Sequence, residues 1–400
     1  MAEHAKKFSA SSADRWVRCA GSINAVEGIE QTTSVYAEEG TKVHEIAANS
    51  LIKWHNSLKE FTYDELWGTY SDLLSDIVAT YDTTLSHDLD NLETYLYYIA
   101  SEFEEIIDGD TQGNNLKPHG FLAIEQKVNY SNLAPQGYDT TNDFFGTADA
   151  IIYDELTRRL HVIDLKWGKG VKVEVEENYQ LICYAIGAMN AYGWLYDIEW
   201  IDLHIVQPRM NNTKSIYFGV EKLLEYEKLF KQAIQAALQP DAKRTPHDKA
   251  CKWCPVKATC PALLELTKNA AISNFEKLEL SDDDYRYILD NSDLISNFIK
   301  SVEEKTYNKL VAGGSLEGYK LVQGRSTRKW TDDAEEALKG SLGEAAYSKK
   351  LIGVTEADKK IPKEVMEELT QKEIGKPLLV KQEDKRQELI INETLTILEA

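Results

Sequence analysis

The chain has 400 residues, of which 43% are hydrophobic and 10% aromatic, and this apolar content excludes a wholly disordered protein. Its 45 basic and 66 acidic residues give a net charge of −21, which argues against broad, nonspecific attraction to phosphates. No apolar run approaches the roughly 18–20 residues that span a bilayer, and the charged start, Met1 to Phe8, lacks the apolar stretch of a secretory signal. We therefore expect a cytoplasmic protein without a membrane partner.

The hydrophobic pattern predicts helices first, beginning with one from Tyr36 to about Asn56 and continuing with acidic helices across 62–107. Residues 108–120 are rich in Gly, Asn and Pro and are predicted to form a loop. Alternating or apolar runs then predict strands, with helices between and after them, and the chain is predicted to turn helical again near its end. The predicted strands are 121–128, 146–153, 159–166, 199–207 and 215–218, and the later helices are 176–192, 220–238 and 278–311. This order predicts a compact α/β core between helical segments.

Two carboxylates and a lysine on neighbouring predicted strands form a candidate catalytic group. Asp164 and Lys166 are two residues apart and project from the same face of a strand, and Asp149 can reach them if the two strands form a hairpin. Converging carboxylates suit Mg²⁺ or Mn²⁺, which activates water and polarises a phosphodiester, and a lysine beside them can offset developing charge. Taken alone, such a pattern more often marks a solvated ion pair.

Other polar residues are predicted to face the same place. His44 lies on the first long helix, Gln180 and Tyr184 are four apart on one helix face, and Glu125 lies in the preceding strand, where it can add a carboxylate at the rim. Each has an ordinary structural explanation, such as a core tyrosine or a surface glutamate.

Together these residues resemble the RecB-like branch of the PD-(D/E)XK nucleases. The family's ordered pattern is matched by Gly40–His44, Gly146–Asp149, Asp164–Lys166 and Gln180–Tyr184. The resemblance implies a restriction-endonuclease-like α/β core, a mixed central sheet flanked by helices, with helical insertions and an α-rich C-terminal region. It also implies metal ligands, a lysine that orients water, and two residues that position substrate. These are His44, Asp149, Asp164 and the Leu165 carbonyl for Mg²⁺ or Mn²⁺, Lys166 for the water, and Gln180 with Tyr184 for the substrate.

The five cysteines point to a second metal centre. Cys251, Cys254 and Cys260 lie within ten residues, and either Cys19 or Cys183 must complete a four-ligand site. Zinc and an iron–sulfur cluster are both candidates, and a lone distant cysteine joining a trio followed by Pro fits iron–sulfur better.

The cysteine order is similar to that of AddB-type members of the same nuclease branch, which carry one cysteine before the nuclease motifs and three after them. This resemblance implies a 4Fe–4S cluster on Cys19, Cys251, Cys254 and Cys260, and it leaves Cys183 as a buried core thiol. Such a cluster is expected to fix the N-terminal segment over the core, in a structural role.

A basic segment with an aromatic residue follows the predicted nuclease core. Arg325, Arg328, Lys329 and Trp330 can hold a phosphate backbone and stack a base, although a solvated hairpin end explains them equally well. The layout of the whole chain resembles an uncharacterised family of bacteriophage and prophage proteins. That resemblance implies a role in phage DNA recombination or replication, in the host-cell cytoplasm.

These expectations combine into one hypothesis. Residues 1–275 form a nuclease domain with a helical insertion at about 57–110, and residues 276–400 form a mostly helical accessory region. The function is predicted to be metal-dependent DNA cleavage, as an exonuclease, with a single-strand annealing or single-strand binding protein as partner. The main alternative is a non-catalytic nucleic-acid-binding scaffold that keeps the fold and the cluster, and a zinc-stapled helical adaptor is a third hypothesis.

Overall fold

The computed structural model describes residues 5–29, 35–57, 88–104, 106–109, 116–272 and 281–321. The chain divides into two units, Met1–Leu321 and Val322–Ala400, and every described residue belongs to the first. The predicted domain limit at 275 stays a prediction. Arg325, Arg328, Lys329 and Trp330 lie outside the described residues, as does most of the predicted helical insertion.

Helices occupy both ends of the described chain and surround a sheet. In chain order they are α1 Ala13–Arg18, α2 Ser22–Val26, α3 Val35–Ser57, α4 Leu89–Glu104, α5 Tyr179–Tyr192, α6 Val220–Ala237, α7 Asp248–Lys252, α8 Pro261–Ile272 and α9 Asp282–Val311. None of the helices in the described ranges is long and apolar enough to cross a membrane.

The strands form one central sheet and one small separate pair. They are β1 Ile107–Gly109, β2 Leu116–Pro118, β3 Gly120–Asn129, β4 Phe145–Asp154, β5 Arg159–Leu165, β6 Trp200–Gln207 and β7 Asn212–Gly219. Strands β3 to β7 are neighbours in chain order, and only β5 and β6 run parallel. A parallel pair needs a crossover, which α5 provides. The predicted α/β class with a mixed central sheet is confirmed.

The sheet separates two hydrophobic cores. The first core packs one sheet face against α1, α5 and α6, and the second packs the other face against α3 and α4. Strands β4 and β5 contribute side chains to both cores, and such two-sided burial explains their nearly continuous apolar sequences. These two strands carry the predicted catalytic carboxylates, so the core fixes their positions.

The N-terminal segment is part of the first core. Phe8 stacks on Phe144 with ring centroids 4.9 Å apart, and Trp16 meets Phe230 edge-on at 5.3 Å. All four rings are fully buried. The short helix α1, which the sequence pattern did not predict, is therefore anchored by residues that lie more than a hundred positions away.

The predicted boundaries that differ from the structure include those of the segment 108–120 and the start of α5. Residues 108–120, predicted to form a loop, contain part of β1, all of β2 and the first residue of β3, with Ile107 paired to Pro118. Gly and Asn have low strand propensity, but pairing between β1 and β2 stabilises the two short strands despite it. Helix α5 begins at Tyr179 rather than Glu176, because the Asn178 side chain caps it by accepting a hydrogen bond from the Leu181 N–H.

Candidate active site and cysteine cavity

Helix α3 and strand β4 meet at a histidine–carboxylate contact. His44 Nδ1 lies 2.9 Å from Asp149 Oδ1, and the other carboxylate oxygen of Asp149 accepts a 2.6 Å hydrogen bond from the Leu165 N–H. Burial lowers the pKa of His44, but the charge of the Asp149 carboxylate and its hydrogen bond raise it more. The pKa of His44 therefore lies above its ordinary value. Asp149 therefore links the α3 helix to the end of β5.

A chain of polar contacts leads from the end of β5 into α5. Asp164 Oδ2 lies 2.7 Å from Lys166 Nζ, the Lys166 ammonium donates to Gln180 Oε1 at 2.9 Å, and the Gln180 amide donates to the Tyr184 hydroxyl at 2.9 Å. Burial raises the pKa of Asp164, the Lys166 ammonium opposes this shift, and the Asp149 carboxylate adds to it. The lysine is thus held between one carboxylate and one amide.

The Asp164 carboxylate has an unusual feature for a buried group. In the described part of the chain its Oδ2 atom meets no hydrogen-bond geometry, but it forms a 2.7 Å ion pair with the Lys166 ammonium. The Lys166 ammonium is therefore the positive charge that balances this buried carboxylate.

Gly146 and Tyr184 belong to different parts of the family pattern, and they are in contact. A Cβ atom added at Gly146 would lie 2.6 Å from Tyr184 Cε1 and 3.2 Å from the Ala10 Cβ. Glycine is therefore required here by close packing, because the tyrosine ring covers the strand. Gly40, at the start of the first motif, has no such neighbour within 4 Å.

Glu125 joins His44 and Asp149 in a small cavity beneath α3. The ligand atoms of these three residues all lie within 4.8 Å of one another. Burial and the Asp149 carboxylate raise the pKa of Glu125 to about 7, although His44 opposes the shift. The cavity is closed by apolar side chains and by the buried Tyr95 ring of α4.

The structure brings together all seven residues predicted to be catalytic, but in two subgroups. His44, Glu125 and Asp149 form one, and the polar chain that begins at Asp164 forms the other. Asp164 is not within 4.8 Å of the whole first subgroup in the described part of the chain. Asp149 connects the two through its hydrogen bond to Leu165, which also lines the cavity. The metal-ligand role of the Leu165 carbonyl stays a prediction.

An arginine that the sequence did not single out braces this site. The Arg209 guanidinium lies over the Trp167 ring at 5.2 Å and donates to Glu39 at 2.9 Å, while Trp167 donates to the same Glu39 oxygen. A second ion pair joins Arg209 to Asp88 at 3.3 Å. These contacts hold the residue after Lys166 against α3, and no local sequence signal could have indicated them.

The four cysteines predicted to bind a cluster line a single cavity. Cys19 follows α1, and Cys251, Cys254 and Cys260 lie in and after α7. Backbone N–H groups point at two of the sulfurs, Thr245 at Cys19 (3.3 Å) and His247 at Cys251 (3.5 Å). In the described ranges, no three of the sulfurs lie within 4.8 Å of one another.

Two buried polar atoms beside this cavity have no hydrogen-bond partner. They are Arg15 Nε and Ser22 Oγ, and both residues line the cavity. Burial lowers the pKa of Arg15, and the neighbouring Cys254 and Cys19 oppose the shift. Cys183 lies elsewhere, fully buried in the first hydrophobic core. A positive side chain and four sulfurs thus face the same space.

Residues 4–387 match the family model described as "Protein of unknown function (DUF2800)". The match covers nearly the whole chain, and the chain therefore belongs to this family.

Proposed function

We propose that this DUF2800 protein is a divalent-metal-dependent deoxyribonuclease of the PD-(D/E)XK type. One observation carries the proposal: His44 of α3 contacts Asp149 of β4, and Asp149 accepts a hydrogen bond from Leu165, whose neighbours Asp164 and Lys166 form an ion pair. An ordinary surface ion pair would not include contact with a histidine that lies 105 positions away in the sequence, as His44 does from Asp149.

The donor set suits Mg²⁺ or Mn²⁺. His44, Glu125 and Asp149 offer one imidazole nitrogen and two carboxylates whose ligand atoms all lie within 4.8 Å of one another, and Asp164 is a nearby carboxylate outside that group. The chemistry that a divalent ion supplies at such a site is polarisation of the phosphodiester and activation of water.

The remaining residues would orient the catalytic side chains and stabilise the charge that develops on the phosphate. Gln180 donates its amide to Tyr184, so its carbonyl oxygen faces the Lys166 ammonium. The ammonium is thereby fixed where it can offset the negative charge that develops on a phosphate. The Asp149 carboxylate is oriented by the Leu165 N–H, which keeps its other oxygen directed at His44.

The finer assignments rest on resemblance. The ordered motifs are similar to those of RecB-like nucleases, which supports cleavage of DNA ends and an exonuclease activity. The similarity to phage and prophage proteins supports a role in phage recombination or replication, with a single-strand annealing or single-strand binding protein as partner. The net charge of −21 opposes phosphate binding, so we expect DNA affinity to depend heavily on bound metal and on salt.

We also propose that Cys19, Cys251, Cys254 and Cys260 hold a 4Fe–4S cluster. Zinc with four thiolates has sulfurs roughly 3.8 Å apart, given bonds of about 2.3 Å. In the described ranges no three of the sulfurs come within 4.8 Å of one another, so the cavity does not have the sulfur spacing of a closed four-thiolate zinc site. The unpartnered Arg15 guanidinium nitrogen and Ser22 hydroxyl support an anionic occupant, and N–H groups aimed at sulfurs are typical of iron–sulfur sites.

The test of the nuclease is cleavage of end-labelled linear DNA, with protein purified anaerobically and supplied with Mg²⁺ or Mn²⁺. Wild type is compared with Lys166→Ala and Asp149→Asn, and with Lys228→Ala as a matched control on the exposed face of α6. We expect the first two variants to lose about 10²–10³-fold in rate and the control to lose nothing.

Equal cutting by wild type and Lys166→Ala would contradict the assignment of this lysine. If wild type binds DNA but cuts nothing under any of these conditions, the protein is a non-catalytic scaffold. A circular DNA substrate, tested in parallel, separates an exonuclease from an endonuclease, because only the endonuclease cuts DNA without ends.

A further inference from the structure

A second group of metal-ligating side chains lies between α4 and the sheet, apart from the active site and the cysteine cavity. Glu102 on α4 places its Oε2 atom 3.4 Å from His161 Nδ1 on β5, and that nitrogen lies 3.1 Å from His204 Nε2 on β6. The three ligand atoms all lie within 4.8 Å of one another. One carboxylate and two imidazoles thus face a common point.

The fold explains why these side chains meet. Strands β5 and β6 are parallel neighbours, with His161 paired to Asp202 and Ile163 paired to His204. Both histidines therefore project from the sheet face that α4 covers, and their rings stack with centroids 5.2 Å apart. Glu102 follows Tyr98 by one helical turn, so both project from α4 toward this pair.

Outer contacts hold the ligands in the way that metal sites require. The Tyr98 hydroxyl lies 2.8 Å from His204 Nδ1, so the other ring nitrogen, Nε2, is the one that faces the cluster. Asp202, whose carboxylate binds Arg159 through two contacts of 2.9 Å, lies 3.9 Å from the ligand atom His161 Nδ1 itself, so it adds a carboxylate on the cluster side. The hydrogen bond from Tyr98 is the outer support, of the kind that orients a metal-binding histidine.

The spacing fits a small transition-metal ion. Bonds of about 2.0–2.1 Å in a tetrahedral zinc site put neighbouring ligand atoms roughly 3.3 Å apart. The two measured spacings, 3.4 Å and 3.1 Å, agree with this.

We propose that Glu102, His161 and His204 bind a divalent transition-metal ion of the Zn²⁺ class, as a structural site that fastens α4 to strands β5 and β6. Two imidazoles and one carboxylate favour such an ion over Mg²⁺ or Ca²⁺. Helix α4 also carries Tyr95, which closes the cavity of Glu125 and Asp149. Metal binding here would therefore support the active-site wall, while the proposal itself is independent of the nuclease assignment.

The experiment titrates the full-length protein with Co²⁺, followed by visible absorption, with Zn²⁺ as competitor. Co²⁺ held by nitrogen and oxygen in a four-coordinate site gives visible d–d bands, whereas thiolate ligation adds charge-transfer bands in the near ultraviolet. The wild type is compared with His161→Gln and Glu102→Gln. Controls are His119→Gln, the same change outside the cluster, and Asp149→Asn, which weakens the active site instead.

We expect wild type to show the visible d–d bands of bound Co²⁺ without thiolate charge-transfer bands. Both control variants should show the same bands. Loss of a residue that only hydrogen-bonds to a metal ligand lowers metal affinity about 10–100-fold. His161→Gln and Glu102→Gln remove a ligand itself, so each should weaken Co²⁺ binding more than about 100-fold. Tyr98→Phe, which keeps all three ligands, should weaken it by that smaller amount. Zn²⁺ should raise the melting temperature of wild type but not of Glu102→Gln.

The proposal is overturned if His161→Gln and Glu102→Gln keep the wild-type affinity, or if the signal disappears in Asp149→Asn. Absence of any such signal in the wild type would overturn it too, and would leave a hydrogen-bonded His–His–Glu group. If His161→Gln fails to fold, as judged by circular dichroism, Glu102→Gln and Tyr98→Phe decide, because both replace partly exposed residues of α4.

Discussion

Glu125 lies opposite Asp149 in the β3–β4 pair, between the registered pairs Ile124–Ala150 and Gln126–Ala148, and its backbone has a φ of 49°. This left-handed conformation reverses the side-chain direction along β3. Ile124 packs against the second core, whereas Val128 belongs to the first, although residues an even number apart share a face in a regular strand. The reversal is what brings the Glu125 carboxylate to His44 and Asp149. Strain of this kind clusters at functional sites.

The raised pKa of Glu125 predicts a pH-dependent stability for the metal-free protein. Folded protein holds this proton up to about pH 7, whereas the unfolded chain releases it near pH 4.5. The contribution is therefore complete below about pH 4.5 and is lost as the pH rises through 7. We expect the difference in unfolding free energy between wild type and Glu125→Gln to shift against wild type from pH 5 to pH 8, in urea melts with EDTA. A constant difference would contradict the assignment.

The backbone strain at Glu125 predicts an unusual order of stability for two variants in which the side chain is truncated. Glycine adopts positive φ without penalty, whereas alanine pays about 1–2 kcal/mol in the left-handed region. Glu125→Gly should therefore be more stable than Glu125→Ala by about 1 kcal/mol, although glycine normally weakens strands. Chemical denaturation of the two variants measures this. If alanine is the more stable, the left-handed conformation at this residue is wrong.

The contact between Gly146 and Tyr184 predicts opposite effects for two glycine substitutions. Gly146→Ala must displace the tyrosine ring, which we expect to cost about 1–3 kcal/mol in unfolding free energy and to reduce cleavage, because Tyr184 orients Gln180. Gly40→Ala, in the open part of α3, should instead stabilise the protein by about 0.5–1 kcal/mol. Thermal or urea melts of both variants test the pair, and equal destabilisation would refute the packing argument.

The cysteine cavity predicts different outcomes for two buried thiols. Cys19→Ala should abolish iron incorporation and lower the melting temperature markedly, since Cys19 faces the cavity of the cysteine trio. Cys183→Ala should keep its iron and lose only about 1 kcal/mol, because this thiol is a core side chain. Elemental analysis of anaerobically purified protein gives the iron content. Unchanged iron in Cys19→Ala would contradict the proposed cluster.

Much of the core could be predicted from sequence, because β4 and β5 are buried on both faces and α5 has regular apolar spacing. The order of the motifs also indicated which residues share a site. Other features depend on contacts between distant positions. No local sequence pattern indicates the contacts of Arg209 or the cluster of Glu102 with two histidines. None indicates the Arg15 and Ser22 atoms that lack a hydrogen bond in the described part of the chain. The positive φ of Glu125 is rare for that residue type, so propensity argued against it.

The burial of Phe8 and Trp16 against Phe144 and Phe230 has a consequence for how the protein is made. At roughly 5–20 residues per second, a ribosome needs about 10–40 s to pass from Trp16 to Phe230. During that time Trp16 lacks its edge-on partner Phe230, and Phe8 lacks its stacking partner until Phe144 has been made. The packing around α1 is therefore completed only after α6 has been made, and a nascent chain stalled before Phe230 lacks one wall of the site that buries Trp16.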